Sequence, residues 1–235
     1  MISERKSNNL IAGAVIPAAG KGSRFGEKKQ FKLLRRSSLL SHALTPFLQS
    51  DLIYEIVVVV PGGRVKEIEK QVNSIPKTKN ISVISGGERR QDSVSNGVKA
   101  LTNECKLVCI HDAVRPFVTK DMINDTIKRC DEYDGAIIAT KVKDTIKRVK
   151  NNRIKETINR GEIWQAQTPQ SFQREKLEEA LKSADADGVT GTDEAFLLER
   201  IGYCVSIVEG TSENIKITTP ADWVIAEAIW KERYG

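Results

Sequence analysis

The chain has 235 residues, with 37 Lys and Arg against 31 Asp and Glu and a formal net charge of +6. At 40% apolar and 29% charged residues, the composition is that of an ordinary globular protein, neither disordered nor fibrous. A chain of this length buries enough surface to need no disulfide or structural metal, and no apolar run approaches the ~20 residues of a membrane span. Residues 1–9 form a polar tail without the apolar core of a signal peptide. Short apolar runs at 10–16, 55–60, 81–85, 107–111, 135–140 and 204–208 predict strands. Segments at 39–49, 64–72, 91–101, 120–133, 174–183, 193–201 and 221–232 predict helices between them. Val57, Val58, Val59 and Val60 are apolar without a break, as in a strand covered on both faces. The alternation predicts an α/β doubly wound, mostly parallel sheet with right-handed crossovers. No linker-like stretch divides the chain, so residues 1–235 are expected to form a single domain.

Residues 141–160 break this pattern, with eight Lys or Arg against five aliphatic residues. Period-2 pieces flank Asn151 and Asn152, whose side chains tolerate a left-handed turn, so the segment reads as a projecting β-hairpin arm. It carries too little apolar surface to stabilise itself. Either it is a solvated hairpin or it lies on another surface, most simply that of a second subunit.

In an open α/β sheet, ligands sit outside the carboxyl ends of the strands, and polar motifs collect there. After the first strand, Pro17 to Gln30 reads PAAGKGSRFGEKKQ. Gly20 and Gly22 allow backbone N–H groups to approach an anion, while Lys21, Arg24, Lys28 and Lys29 supply charge. The spacing matches neither the dinucleotide fingerprint nor the P-loop, but four cations within nine residues point to phosphate. The strand ending at 111 runs into HDAVRPF. There Pro116 holds Arg115 extended, able to fork onto a phosphate, and Asp112 suits a magnesium ion or a sugar hydroxyl. An internal Asp112–Arg115 pair is the other reading, and His111 reads as a packed, loop-ordering residue. In GGERRQDS, Gly86, Gly87 and Ser93 either admit a nucleobase or merely form a tight turn and helix cap. The 164–172 stretch, WQAQTPQSF, reads as a packed loop. In GTDEA, Thr192 and Asp193 are candidate ligand contacts, and Glu194 reads as a first-turn helix acid. Alternation in NIKITTP puts Asn214, Lys216 and Thr218 on one face of a short strand, with Lys216 a cation candidate.

PAAGKGSRF with KKQF, GGERRQDSV, HDAVRPF, VKDTIKRV, Arg160 ahead of WQAQTPQSF, GTDEA and NIKITTP follow in that order from residue 17 to residue 220. The series resembles the 2-C-methyl-D-erythritol 4-phosphate cytidylyltransferase family of non-mevalonate isoprenoid synthesis, over nearly the whole chain. Lys28 departs from the family's usual Pro, although Lys29 and Gln30 are in place. The resemblance implies a Rossmann-like nucleotidyltransferase sheet. It also implies transfer of a cytidylyl group from CTP to 2-C-methyl-D-erythritol 4-phosphate, with Mg²⁺ as cofactor, for which Asp112, from its position after a strand, is the candidate ligand. Arg24, Lys29 and Lys216 would be catalytic, with the backbone of Ala18, Ala19, Gly20 and Gly22 beneath the triphosphate. Gly87 and Ser93 would lie by the cytosine and ribose. Asp112, Arg115, Thr168, Thr192 and Lys216 would surround the second substrate. In a homodimer built through the 141–160 arm, Thr145 and Arg160 would serve the neighbouring subunit's site.

Other classes are weaker. Cys105, Cys109, Cys130 and Cys204 contain no C-x-x-C pair, and His42 and His111 are the only histidines, so a zinc site is not expected. Scattered cysteines fit reduced, buried thiols in a cytoplasm. No G-x-S-x-G elbow supports a serine hydrolase. Nucleic-acid binding would rest on charge alone, because aromatic residues are 6% and scattered; neither a nucleic-acid nor a membrane partner is expected. A ribitol 5-phosphate cytidylyltransferase shares the glycine loop, HDAVRPF and QTPQSF, but RQDSV and the Arg160-to-Trp164 spacing favour methylerythritol phosphate. A nucleotide-binding regulator without catalysis is the remaining alternative.

Overall fold

The computed structural model describes residues 10–20, 22, 25–75 and 78–235. The first strand, β1 (Ala12–Pro17), leads through the glycine-rich segment to a small hairpin, β2 (Leu33–Leu34) and β3 (Ser37–Ser38), and then to α1 (Leu39–Gln49). There follow β4 (Ile53–Val60), α2 (Val65–Asn73), β5 (Asn80–Ser85), α3 (Arg90–Ala100), β6 (Leu107–Ile110), α4 (Lys120–Arg129) and β7 (Gly135–Lys141). The arm is β8 (Ile146–Lys150) with β9 (Arg153–Ile158). The chain then forms β10 (Trp164–Gln173), α5 (Arg174–Ala186), α6 (Glu194–Arg200), β11 (Val205–Glu209) and α7 (Pro220–Tyr234).

Among the described residues, seven strands form one sheet in the order β11-β7-β10-β6-β1-β4-β5. All its neighbouring pairs are parallel except those of β10, which runs antiparallel to both β6 and β7. Because side chains alternate across a strand, Ala14 and Ile16 of β1 pack with Leu44 and Phe47 of α1, Ile68 of α2 and Ile123 of α4. Val15 faces the other way, towards Val94 and Val98 of α3, Leu177 of α5 and Leu197 of α6. Gly97 lets α3 lie close against the sheet, since a Cβ there would meet Val15 Cγ1 at 2.4 Å. Both faces are thus covered, which is why β4 is buried at every position from Glu55 to Val60. A third cluster of Leu34, Leu39, Phe117, Ile217 and Ala226 seats α7, whose start is capped by Thr219 and Asp222 with Pro220 in the first turn.

The doubly wound architecture agrees with the sequence expectation, and α1 matches it residue for residue. Three details differ. The expected loop at 164–172 is strand β10, between β6 and β7 and buried from Gln167 to Phe172; its polar residues hide this burial because partners such as Thr126 for Ser171 and Asp193 for Gln170 come from distant elements. The segment 214–218 is not a strand, because no ladder neighbour accompanies it. Its burial follows a three-residue spacing, with Asn214 and Ile217 both at 0% exposure, and Ile217 N donates to Val114 O at 3.0 Å. Finally, α4 ends at Arg129, short of the expected 133.

The arm forms as expected. Its turn residues Asn151 and Asn152 take φ of 50° and 58°, the left-handed pair that a two-residue hairpin turn requires. Cys105, Cys109 and Cys130 are buried free thiols and Cys204 is exposed. Burial pushes the first three up to about 12, which keeps them protonated and unreactive.

Candidate active site

Connections from β1 run to β4 and β5 on one side, and the chain then returns to place β6 on the other. The order therefore reverses between β1 and β6, and the crevice beyond their carboxyl ends is where such a sheet receives ligands. The glycine-rich segment leaves β1 here and Asp112 leaves β6. Antiparallel β10 brings its early residues, Gln167 and Thr168, to the same end.

The glycine-rich turn is held from within. Gln30 Nε2 donates to Ala18 O at 2.8 Å and to Gly20 O at 3.0 Å. Gly22 O accepts from Phe25 N and Gly26 N. These carbonyls are thus occupied internally. The Ala18 N–H is occupied too, donating to Val59 O at 2.7 Å, so its expected place beneath a phosphate falls to N–H groups further along the turn, which suit an anion. Gly22 sits at φ +70°, where a Cβ would fall 2.0 Å from Glu27 O, so only glycine is accommodated. Lys29 is buried, with Nζ 3.2 Å from Thr218 O and 5.5 Å from the Phe25 ring centre. Lys21 and Arg24 lie outside the described residues.

The second half of the site centres on Asp112, only 6% exposed. Lys216 Nζ lies 2.8 Å from Oδ2, Arg115 Nε 3.7 Å from Oδ2 and Arg90 Nε 3.3 Å from Oδ1. Burial pushes the carboxyl up, but Arg90, Lys216 and Arg115 outweigh it and hold the group well below the usual carboxylate range. Arg115 Nη1 also donates to Asn214 O at 2.7 Å. The 214–218 segment thus gathers Lys29, Arg115 and Lys216 by touching or containing each of them. Asn214 anchors it, donating to Gln167 Oε1 and Thr168 O, both at 2.9 Å.

His111 is fully buried, with Nε2 3.0 Å from Arg115 O and Nδ1 3.0 Å from Thr168 Oγ1. A carbonyl only accepts, so Nε2 carries the proton. Thr168 Oγ1 then donates to Nδ1 while accepting from Asp112 N at 3.1 Å. Burial pulls the imidazole down to about 4, so it is neutral near pH 7. His111 therefore orders the loop, as the sequence suggested.

Of the expected site residues, Lys29, Asp112, Arg115, Thr168 and Lys216 are linked by these contacts. Gly87 N donates to Ser93 Oγ at 3.2 Å, and Ser93 Oγ donates to Arg89 O, which gives Ser93 a turn-closing role. Thr192 is exposed just ahead of α6, while Asp193 caps that helix and accepts from Gln170 Nε2 at 2.9 Å. Thr145 and Arg160 stand apart, exposed at the base of the arm. Arg160 donates to Lys143 O there, and among the described contacts neither residue reaches the crevice of its own chain. Sequence reasoning gave no role to Gln30 or Arg90. Arg90 Nη1 contacts both carboxylate oxygens of Glu194, at 2.6 and 2.9 Å; Glu194 is the first-turn acid of α6, as expected, and is 1% exposed. Among the described residues, no group of three or more His, Cys, Asp or Glu could hold a metal ion. Both oxygens of Asp112 are engaged by cations, Oδ1 by Arg90 and Oδ2 by Lys216 and Arg115, so Asp112 does not fit the expected metal-ligand role, and a divalent cation here would draw its shell from ligand phosphate oxygens and water.

The profile of 2-C-methyl-D-erythritol 4-phosphate cytidylyltransferases matches residues 12–232. The enzyme of that name from Geobacter metallireducens is 42% identical over 228 residues, covering 94% of this chain and 97% of its own. That from Alkaliphilus oremlandii is 40% identical over 223 residues, covering 93% and 94%. Among solved structures, the 4-diphosphocytidyl-2C-methyl-D-erythritol synthase of Anaerococcus prevotii superposes with a TM-score of 0.85 at 29% identity, covering 95% of this chain and 100% of its own. The cytidylyltransferase of Thermus thermophilus gives 0.78 at 30% identity, covering 94% and 99%. Matched by that profile along nearly its whole length, and by full-length relatives at 40% identity or more, this chain belongs to the 2-C-methyl-D-erythritol 4-phosphate cytidylyltransferase family.

Proposed function

We propose that this enzyme transfers the cytidylyl group of CTP to 2-C-methyl-D-erythritol 4-phosphate, releasing pyrophosphate and 4-diphosphocytidyl-2-C-methyl-D-erythritol. The observation that carries the reading is the convergence of Lys29, Arg115 and Lys216 on the 214–218 segment, at the crevice between β1 and β6. A phosphate oxygen of the polyol phosphate attacks the α-phosphorus of CTP. The new P–O bond forms as the bond from that phosphorus to the bridging oxygen breaks, and pyrophosphate leaves with the electron pair. A phosphate monoester has its second pKa near 6, so the nucleophile needs no base, and buried His111 supplies none.

The difficulty is electrostatic: two polyanions must meet, and charge builds at the pentacoordinate phosphorus. The turn N–H groups, Arg24 and Lys29 hold the triphosphate. Lys216 and Arg115 hold the incoming phosphate, and Asp112, Thr168 and Thr192 receive the polyol. Gly87 and Ser93 flank the cytosine and ribose. Enzymes of this nucleotidyltransferase family need a divalent metal. Mg²⁺ would be held by triphosphate oxygens and water rather than by Asp112, and when bound it would offset triphosphate charge.

We infer further that the whole chain is one domain working as a homodimer in the cytoplasm, the 141–160 arm reaching a second copy so that Thr145 and Arg160 complete its site. The absence, among the described residues, of any helix long and apolar enough to cross a membrane agrees with this, as does an arm that exposes Val149 and Ile154. Pyrophosphate release from CTP tests the activity. Turnover is expected with methylerythritol phosphate and far less with ribitol 5-phosphate; the reverse preference, or no turnover with either, refutes it. Lys29→Ala and Arg24→Ala should each lose at least about tenfold in kcat with folding intact. A Lys29→Ala enzyme of unaltered kcat would remove Lys29 from the mechanism.

A further inference from the structure

Arg90 is the first residue of α3, directly after the Gly86–Gly87 turn, and its guanidinium spans two carboxylates from separate elements. Nη1 contacts both oxygens of Glu194 on α6, and Nε reaches Asp112 Oδ1 beyond β6. The two partners differ in what else holds them. Asp112 also has Lys216 and Arg115, whereas among the described residues Arg90 is the cation that faces Glu194, whose side chain is only 2% exposed. A buried carboxylate without its cation is costly, so Glu194 fixes the guanidinium strongly. Arg90 in turn engages the Asp112 oxygen that Lys216 leaves unoccupied, since Lys216 takes Oδ2. A planar fork reaches two carboxylates at once; an ammonium does not.

We propose that Arg90 is a positioning residue of the transfer reaction: anchored by Glu194, it holds Asp112 so that Oδ2 presents Lys216 to the incoming phosphate. The kinetic part rests on the cytidylyltransferase reading above; the geometric part does not. Arg90 also joins the start of α3, the start of α6 and the loop after β6, so the turn assigned to the nucleotide is tied to the groups assigned to the second substrate. Removing Arg90 frees Asp112 to rotate, and Lys216 moves with it.

The test combines kinetics with a structure. Misplacement of a binding group by about an ångström costs up to 10²-fold, so Arg90→Gln should raise KM for the polyol phosphate at least about tenfold. KM for CTP should stay within about twofold. Arg90→Lys, which restores charge but not the two-carboxylate span, should recover little of the loss. Thermal melting separates this from instability: a lowered melting temperature with both KM values unchanged would make Arg90 merely structural and overturn the proposal. So would full recovery by Arg90→Lys. Should the wild-type enzyme turn over no polyol phosphate, the functional reading fails on its own. The crystal structure of ligand-free Arg90→Gln still decides the geometry: loss of the 2.8 Å Asp112–Lys216 contact is expected, and its retention would overturn the proposal.

Discussion

Gln30 carries the glycine-rich turn on two hydrogen bonds, to Ala18 O and Gly20 O. Each is worth about 1 kcal/mol net. Losing both, about 2 kcal/mol, Gln30→Ala should lower kcat/KM for CTP by up to about thirtyfold, seen in initial rates at limiting CTP, with a smaller effect at limiting polyol phosphate. His111 makes a pH prediction. Its folded pKa, about 4, lies below the 6.5 of an exposed imidazole, so the unfolded chain binds the proton first as pH falls. Its contribution to stability is complete above 6.5 and is lost progressively down to about 4. Urea unfolding should show a loss of about 2 kcal/mol between pH 7 and pH 5. His42, also lowered by burial, adds in the same direction, as does Asp112 at lower pH. A flat profile over that interval would mean that His111 is not buried neutral. The sequence singled out Lys29, Asp112 and Arg115 from charge and position after a strand, and Lys216 from the alternation of a segment that forms no strand; the structure brings the four together. Arg90 was not, because Arg89 and Arg90 read alike in sequence. The helical turn separates them: Arg89 points out to Asp92 and Asp185, and Arg90 points in to Glu194 and Asp112.

At the scale of elements, the apolar strands and the amphipathic helices were readable because their side-chain period reports burial directly. β10 gave no such period. Gln167, Thr168, Gln170 and Ser171 are buried polar residues whose partners, such as Thr126 Oγ1 for Ser171 and Asp193 for Gln170, come from distant elements. A sequence read locally cannot supply those partners. The 214–218 segment misled for a related reason, since two tertiary anchors, Asn214 and Ile217, set its burial rather than a ladder. The arm was legible because Asn151 and Asn152 encode its turn. Val149 and Ile154 pair across it and are 54% and 64% exposed, an apolar pair that a second copy would cover. The Val149→Glu, Ile154→Glu double variant should leave melting of the single chain nearly unchanged. In sedimentation it should shift the protein from dimer towards monomer, with activity falling in parallel. A monomeric wild-type protein would remove the arm from any role in assembly.

Across the whole molecule, the sheet order places side by side the two halves proposed to bind anions: the turn after β1, with Lys29, and the cluster beyond β6, with Arg115 and Lys216. A net charge of +6 favours encounter with anionic substrates generally, but the arrangement at the β1–β6 crevice decides where they meet. The family resemblance spanned both halves, so fold and reaction could be read together from sequence. The internal bracing of the site could not, because Gln30, Arg90, Asn214 and Glu194 act through contacts between residues far apart in the chain. The account stands on charge compensation without a proton-abstracting side chain, and the most direct measurement is a crystal structure with CTP and Mg²⁺ bound. The triphosphate should lie over the Gly20–Gly22 turn with a phosphate oxygen within about 3 Å of Lys29 Nζ. CTP bound elsewhere, with no phosphate oxygen at the turn or at Lys29 Nζ, would contradict it.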